Sequence, residues 1–217
     1  MIDFNRIKND AGIRTYVEMS DASLSALGYT EHSFAHVTRV AEVAAEILTS
    51  LGYDAHTVEL ARIAGFLHDI GNLVNRVDHS QSGALLAFRI LDRMGMSPED
   101  ISVIVTAIGN HDEGTGVPVS PVAAALIIAD KSDVRRSRVR NTDHLSFDIH
   151  DRVNYSVERS DIAVSDGRVT LSLKVDTSIS AVMEYFEIFL DRMLLCRRAA
   201  DKLGLVFALE INGQKLL

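Results

Sequence analysis

From about Glu31 to Ser137 the apolar positions fall at helical spacing. His36, Val40, Val43, Ile47 and Leu51 recur at three- and four-residue steps, and Gly52 behind them is a natural helix stop. Thr57 to Ile70 predicts a second helix, ended by Gly71. It is apolar nearly all round, as a helix central to a bundle would be. Ser80 to Arg93 reads as a third, with Gly95 after it. Ser97-Pro98-Glu99-Asp100 is a helix start: a capping serine, proline at the first position, then acids in the first turn. That fourth helix runs to about Asn110, a glycine-rich loop follows, and Ser120-Pro121 opens a fifth through "VAAALIIADKSDVRR".

After about Asp143 the period changes to two. Val153, Tyr155 and Val157 alternate with polar residues, as do Ile162 with Val164, and Val169, Leu171, Leu173 with Val175. Asp166-Gly167 is a two-residue hairpin signal that sets Val164 opposite Val169 and Ile162 opposite Leu171. A slip in parity near Ser160 predicts a bulge. Ile179 to Leu203 is a long amphipathic helix with Ile179, Val182, Phe186, Phe189, Met193 and Ala200 on one stripe, and Leu205 to Ile211 alternates as a last strand. The expected fold is therefore mainly α. A helical part, residues 1–145, is followed by a small β-β-α-β extension, residues 146–217, with an antiparallel sheet packed on the long helix.

Composition narrows the class. A chain of 217 residues with 47% hydrophobic content buries a sizeable core, and no Pro- or Gly/Ser-rich linker divides it. The net charge of −8 makes it a poor ligand for duplex nucleic acid. A lone cysteine, Cys196, rules out an intrachain disulfide and suits a reducing cytoplasm. The longest aliphatic run, Val122 to Ala129, is too short for a bilayer, so no membrane partner is expected.

The chemistry lies in the histidines and aspartates at the helix ends: His36, His68, Asp69, His79, His111 and Asp130. A single histidine on an apolar face is usually a core residue. Burying two carboxylates among aliphatic helices, however, is costly unless a cation meets them, and these helices carry little Lys or Arg on the same faces. His68 and Asp69 diverge by about 100° on a helix and converge on one centre only if it lies against the last turn. An ion between helices meets that condition. Imidazole and carboxylate ligands suit Mn, Fe, Co, Ni or Zn, and the two oxygens of Asp69 could bridge a pair of ions.

"HVTRVA" from His36, "HDIG" from His68, Asp78-His79, "NHD" from Asn110 and Ala129-Asp130, in that order, resemble the HD superfamily of metal-dependent phosphohydrolases over roughly Glu31 to Arg138. The resemblance implies an HD helical bundle. It implies a first divalent ion on His36, His68, Asp69 and Asp130, and a second on Asp69, His79 and His111, with Asp69 and His79 as candidate catalytic residues. The chain departs from the HD-GYP members, with Asn72 after "HDIG", Asn110-His111 for paired histidines and Gly116-Val117-Pro118 for Gly-Tyr-Pro. It also departs from the alarmone hydrolases, with Leu73 and Val74 where acids stand. His32, one helical turn before His36, is expected at the surface or in a cap. His56 is expected in solvent, and His144 and His150 away from the site.

"KSDVRRSRVR" gathers basic residues behind Asp130. Lys131, Arg135 and Arg138 are candidate phosphate contacts, Arg138 because a continued helix would return it near Asp130 two turns on. Arg76 and Asn72 are further candidates, and Asn75 and Asp78 would orient ligands. The expected activity is hydrolysis of a phosphoester in a small nucleotide or related phosphometabolite. Two rivals stand beside it: a mixed-valent di-iron oxygenase, which uses the same ligands, and a non-catalytic nucleotide sensor, which would be expected to lose some of them. The apolar stripe of the long C-terminal helix leads to the expectation of a homodimer.

Overall fold

The computed structural model describes residues 2–141 and 147–216. His144 lies outside them. Two helices precede the expected bundle: α1 (Phe4–Lys8) and α2 (Ala11–Ala26), each capped by an aspartate, Asp3 and Asp10. α2 buries Ile13, Val17, Ser20 and Leu24, a helical spacing.

The bundle consists of α3 (Phe34–Ser50), α4 (Ala55–Leu67), α5 (His79–Met94), α6 (Pro98–Gly109) and α7 (Pro121–Lys131). Ser97 and Ser120 cap α6 and α7 as their sequence predicts, accepting from Asp100 N and Ala123 N. Gly52 and Gly95 take the left-handed backbone that ends α3 and α5. α4 is buried nearly all round and lies between α3, α6 and α7. It ends three residues earlier than expected. A 3₁₀ turn, Ile70–Leu73, follows, and Gly71 serves as a close-approach residue, since a Cβ there would lie 1.9 Å from the His79 carbonyl oxygen.

α7 also stops earlier than expected. Ser132 closes it with its hydroxyl on the Ala129 carbonyl, and Arg135 is extended before a 3₁₀ turn at Arg136–Arg138. The segment Val153 to Val157, expected as a strand, is mostly helix: α8 (Ile149–Ser156). Its apolar residues satisfy both periods, but Asp148 accepts from Asp151 N, and this cap decides for helix.

The hairpin forms as expected from β1 (Val157–Ser165) and β2 (Arg168–Val175), with Val164 opposite Val169, Ile162 opposite Leu171 and a register shift between Val157 and Arg159. α9 (Val182–Lys202) then carries the chain back to β3 (Val206–Ile211), with a two-residue β4 (Gln214–Lys215) at the edge. The fully antiparallel sheet expected from sequence is not formed. β3 pairs parallel to β2, which is what a helical crossover between adjacent strands produces. α9 packs on α7, and Phe189, Met193 and Leu195 join the same buried cluster as the bundle.

Candidate metal centre

His36 stands in the first turn of α3, His68 and Asp69 at the end of α4, and Asp130 in the last turn of α7. The bundle brings all four together. His36 Nε2 lies 3.5 Å from Asp69 Oδ2 and 3.4 Å from Asp130 Oδ1, and His68 Nε2 lies 3.2 and 3.6 Å from the same two oxygens. Four ligands each about 2.1 Å from a tetrahedral ion stand roughly 3.4 Å apart, so the donor set fits a transition ion. The Nε2 atoms of His36 and His68 are buried and have no hydrogen-bond partner among the described residues.

The other oxygen of Asp69 faces a second set. Asp69 Oδ1 is 3.5 Å from His79 Nε2, which is 3.2 Å from His111 Nε2. Each Nδ1 faces an acceptor: the Asp133 carboxylate for His36 at 2.7 Å, Gly65 O for His68 at 2.8 Å, Arg76 O for His79 at 3.1 Å and Ile108 O for His111 at 2.6 Å. A carbonyl cannot donate, so His68, His79 and His111 each place an N–H on Nδ1 and turn Nε2 inward, with a free lone pair there on His79 and His111. Lone pairs of His79 and His111 at 3.2 Å repel unless a cation lies beside them. Arg76 offers one, its Nη1 lying 3.3 Å from His79 Nε2.

The titration behaviour has the same cause. Burial lowers His111 to about 3, helped by the charges of His68 and Lys131, and burial also lowers His79. Burial acts on His68 in the same direction, but Asp69 and Asp130 outweigh it and raise the ring to about 10. Burial would raise Asp69 and Asp130. Instead His68 and His32 hold Asp69, and Lys131 with the histidines holds Asp130, well below the usual carboxylate range. The carboxylates thus demand positive charge, which an ion would supply.

The remaining candidates divide. Arg138, Lys131 and Arg76 line a cavity of about 300 Å³ that reaches Asp69, His79 and Asp130. Arg138 arrives by a folded-back loop instead of the expected helical repeat: its Nε donates to Glu31 O and its Nη1 to Asp133 O. Lys131 is buried, 2.6 Å from Asp130 Oδ2 and 3.2 Å from Glu113 Oε2, so the helices do place a cation on the carboxylate face. Arg135 is not at the cavity. It is tied to Asp133 and Glu31, and its place as a phosphate contact is withdrawn. Asn72 is withdrawn as well, because its amide donates to the main-chain and side-chain oxygens of Asp69 and orients that carboxylate. Asn75 and Asp78 shape the loop before α5: Asn75 accepts from Val77 N, and Asp78 takes a left-handed backbone.

His32 is not a surface residue. Its Nδ1 faces Thr30 O at 2.7 Å and its Nε2 lies 4.0 Å from Asp69 Oδ2 at the cavity rim. His150 also lines the cavity, against expectation, while His56 lies exposed on Asp100 as expected. Several supporting residues carry no local sequence signal. Ser20 of α2 donates to Asp69 O, Asp133 orients His36, and Arg192 of α9 reaches Glu113 at 2.6 Å. For Asp133 the three-residue step from Asp130 was the available clue.

A helical bundle that delivers a histidine, a histidine–aspartate pair and a final aspartate to one buried centre defines an HD domain. Residues 33–135 match the model of the HD domain, so this part of the chain is an HD domain. It is 27% identical over 190 residues to an uncharacterized protein of Methanocaldococcus jannaschii, covering 76% of this chain and 72% of that protein. It is 32% identical over 115 residues to ribonuclease Y of Thermosipho melanesiensis, a match to 52% of this chain but only 21% of that enzyme. A crystal structure of a predicted HD superfamily hydrolase from an uncultured Thermotogales bacterium is similar at 26% identity and TM-score 0.43, over 57% of this chain and 68% of that one. No helix of the described residues is long and apolar enough to cross a membrane.

Proposed function

We propose that the protein is a metal-dependent hydrolase acting on a phosphoester of a small nucleotide or related phosphometabolite. The observation that carries this reading is Asp69, whose two oxygens each face a separate set of inward-turned histidine nitrogens. His36, His68, Asp69 and Asp130 would hold one ion, and Asp69, His79 and His111 another. Such ions supply an acidified water and a polarised phosphoryl oxygen. Asp69, held by Asn72 and Ser20, fixes the separation of the two sets. Arg138, Lys131 and Arg76 offset charge on the phosphoryl oxygens. The cavity volume of about 300 Å³ favours a small substrate over a polymer. The ribonuclease Y relatives are, by name, enzymes that cleave RNA, and hydrolysis at phosphorus is the chemistry carried over from them.

The test is elemental analysis after anaerobic purification, then phosphate release from a panel of monoesters, diesters and a short RNA with that metal restored. Asp69→Ala should lose all metal and all turnover, and His111→Ala only the second ion. Oxygen consumption without phosphate release would favour the oxygenase rival, and full metal content with no turnover the sensor.

A further inference from the structure

The cavity at the metal centre is closed on one side by the C-terminal extension. α8 and the residue before it contribute Asp148, His150, Asp151 and Asn154, α9 contributes Phe189 and Arg192, and the segment Leu27–Thr30 forms another wall. The cations of this cavity, Arg76, Lys131, Arg138 and Arg192, come from other elements, whereas α8 brings two carboxylates and an amide. Asn154 is 6% exposed. Its Nδ2 donates to His150 O at 2.8 Å, and its Oδ1 accepts no hydrogen bond among the described residues. Asp148 spends one oxygen on capping α8, and Asp151 receives Asn141 through Oδ2 at 3.3 Å, so among the described residues each has a second acceptor oxygen without a hydrogen bond.

We infer that α8 recognises the organic part of the substrate, and that the substrate is a phosphate monoester whose leaving group carries hydroxyl or amino donors, as a nucleoside or sugar does. This deepens the phosphohydrolase reading and rests on it. A buried amide oxygen and two carboxylates form a wall of acceptors. Donor groups satisfy such a wall, whereas an analogue without donors leaves it unpaired, a difference felt most at the buried Asn154 and least at the exposed Asp148. The same wall disfavours a second phosphate, since Asp148 and Asp151 repel it. A monophosphate is therefore preferred over a polyphosphate or inorganic pyrophosphate. The C-terminal extension, by this account, is the specificity element of the site.

The experiment compares adenosine 5′-monophosphate, glucose 6-phosphate, p-nitrophenyl phosphate, adenosine triphosphate and pyrophosphate as substrates of the metal-loaded full chain. The parent should prefer the first two. In Asp151→Asn and Asn154→Leu, the ratio of kcat/KM for the preferred monoester to that for p-nitrophenyl phosphate should fall about tenfold, chiefly through KM. Calorimetric binding of adenosine 5′-monophosphate and of inorganic phosphate supplies an arm that needs no turnover. Nucleotide binding should weaken in these variants relative to phosphate binding. An unchanged ratio in both arms overturns the inference, as does a preference of the parent for pyrophosphate or the triphosphate. If no compound is hydrolysed yet nucleotide binding still depends on Asp151 and Asn154, the hydrolase reading fails and recognition by α8 stands.

Discussion

Each inward-facing histidine is held through its other ring nitrogen, and its charge follows from what surrounds it. His68 is the informative case, since its ring is raised from an ordinary 6.5 to about 10, with burial opposing and Asp69 and Asp130 prevailing. A group raised on folding stabilises fully below its unfolded value and loses that contribution as pH rises through its folded value. In protein stripped by a chelator, the melting temperature should therefore fall between about pH 7 and pH 10. Restoring the metal displaces the His68 proton, so calorimetric heats at pH 7 should depend on the ionisation enthalpy of the buffer. Heats that do not vary with buffer would remove His68 from the ligand set. Arg138 is tested at the same scale. A charge-assisted phosphate contact contributes roughly 1.5–3 kcal/mol, so Arg138→Ala should lower kcat/KM on the order of ten- to a hundredfold with metal content intact. Arg135→Ala, which removes links to Asp133, Glu31 and Ser137 away from the cavity, should change kcat/KM far less. Equal losses in the two variants would mean that Arg138 merely ties its loop to Glu31 and Asp133.

Elements were legible where one period dominated. Capping residues and glycines located α3, α5 and α6 to within a residue or two, and Asp166-Gly167 set the hairpin register. The misreadings fall where two local rules competed. α8 fits a strand period until the Asp148 cap is counted, and α7 reads as continuous helix until Ser132 closes it. The parallel pairing of β3 depends on where α9 returns the chain, which alternation does not encode. α9 also reaches the metal centre in a way no motif announces. Arg192 holds Glu113, Glu113 holds Lys131, and Lys131 holds Asp130 Oδ2, leaving Oδ1 toward His36 and His68. Glu113→Gln should loosen Lys131 and weaken metal binding about tenfold or more, the range for partners that orient a ligand. A calorimetric titration with Mn²⁺ measures this directly. An affinity equal to that of the parent would show that Lys131 holds Asp130 unaided.

At the scale of the whole molecule, the six metal-ligand candidates were legible because their types and order are unusual in an apolar bundle. The wall opposite them was not, because the segment Leu27–Thr30, α8 and α9 meet around one cavity only in the tertiary fold. The same limit affects the apolar stripe of α9. The homodimer is expected because a single small sheet would not fully cover that stripe, Phe189 included. Phe189 is instead 1% exposed and packs on Tyr185 at 5.1 Å between ring centroids, with the Arg192 guanidinium 4.5 Å from its ring. Met183, Leu190 and Leu194 are the apolar residues of α9 that face outward. The two positions therefore give opposite results. Phe189→Glu places a charge in the core, which costs several kcal/mol unless the chain opens, and the melting temperature should collapse. Leu190→Glu lies at the surface and should leave the melting temperature within a few degrees of the parent. If α9 mediates the expected homodimer, light scattering at micromolar concentration should give twice the chain mass for the parent and the single mass for Leu190→Glu. A parent at single mass would end the dimer reading, and a Leu190→Glu variant that stays dimeric would move the contact to another face.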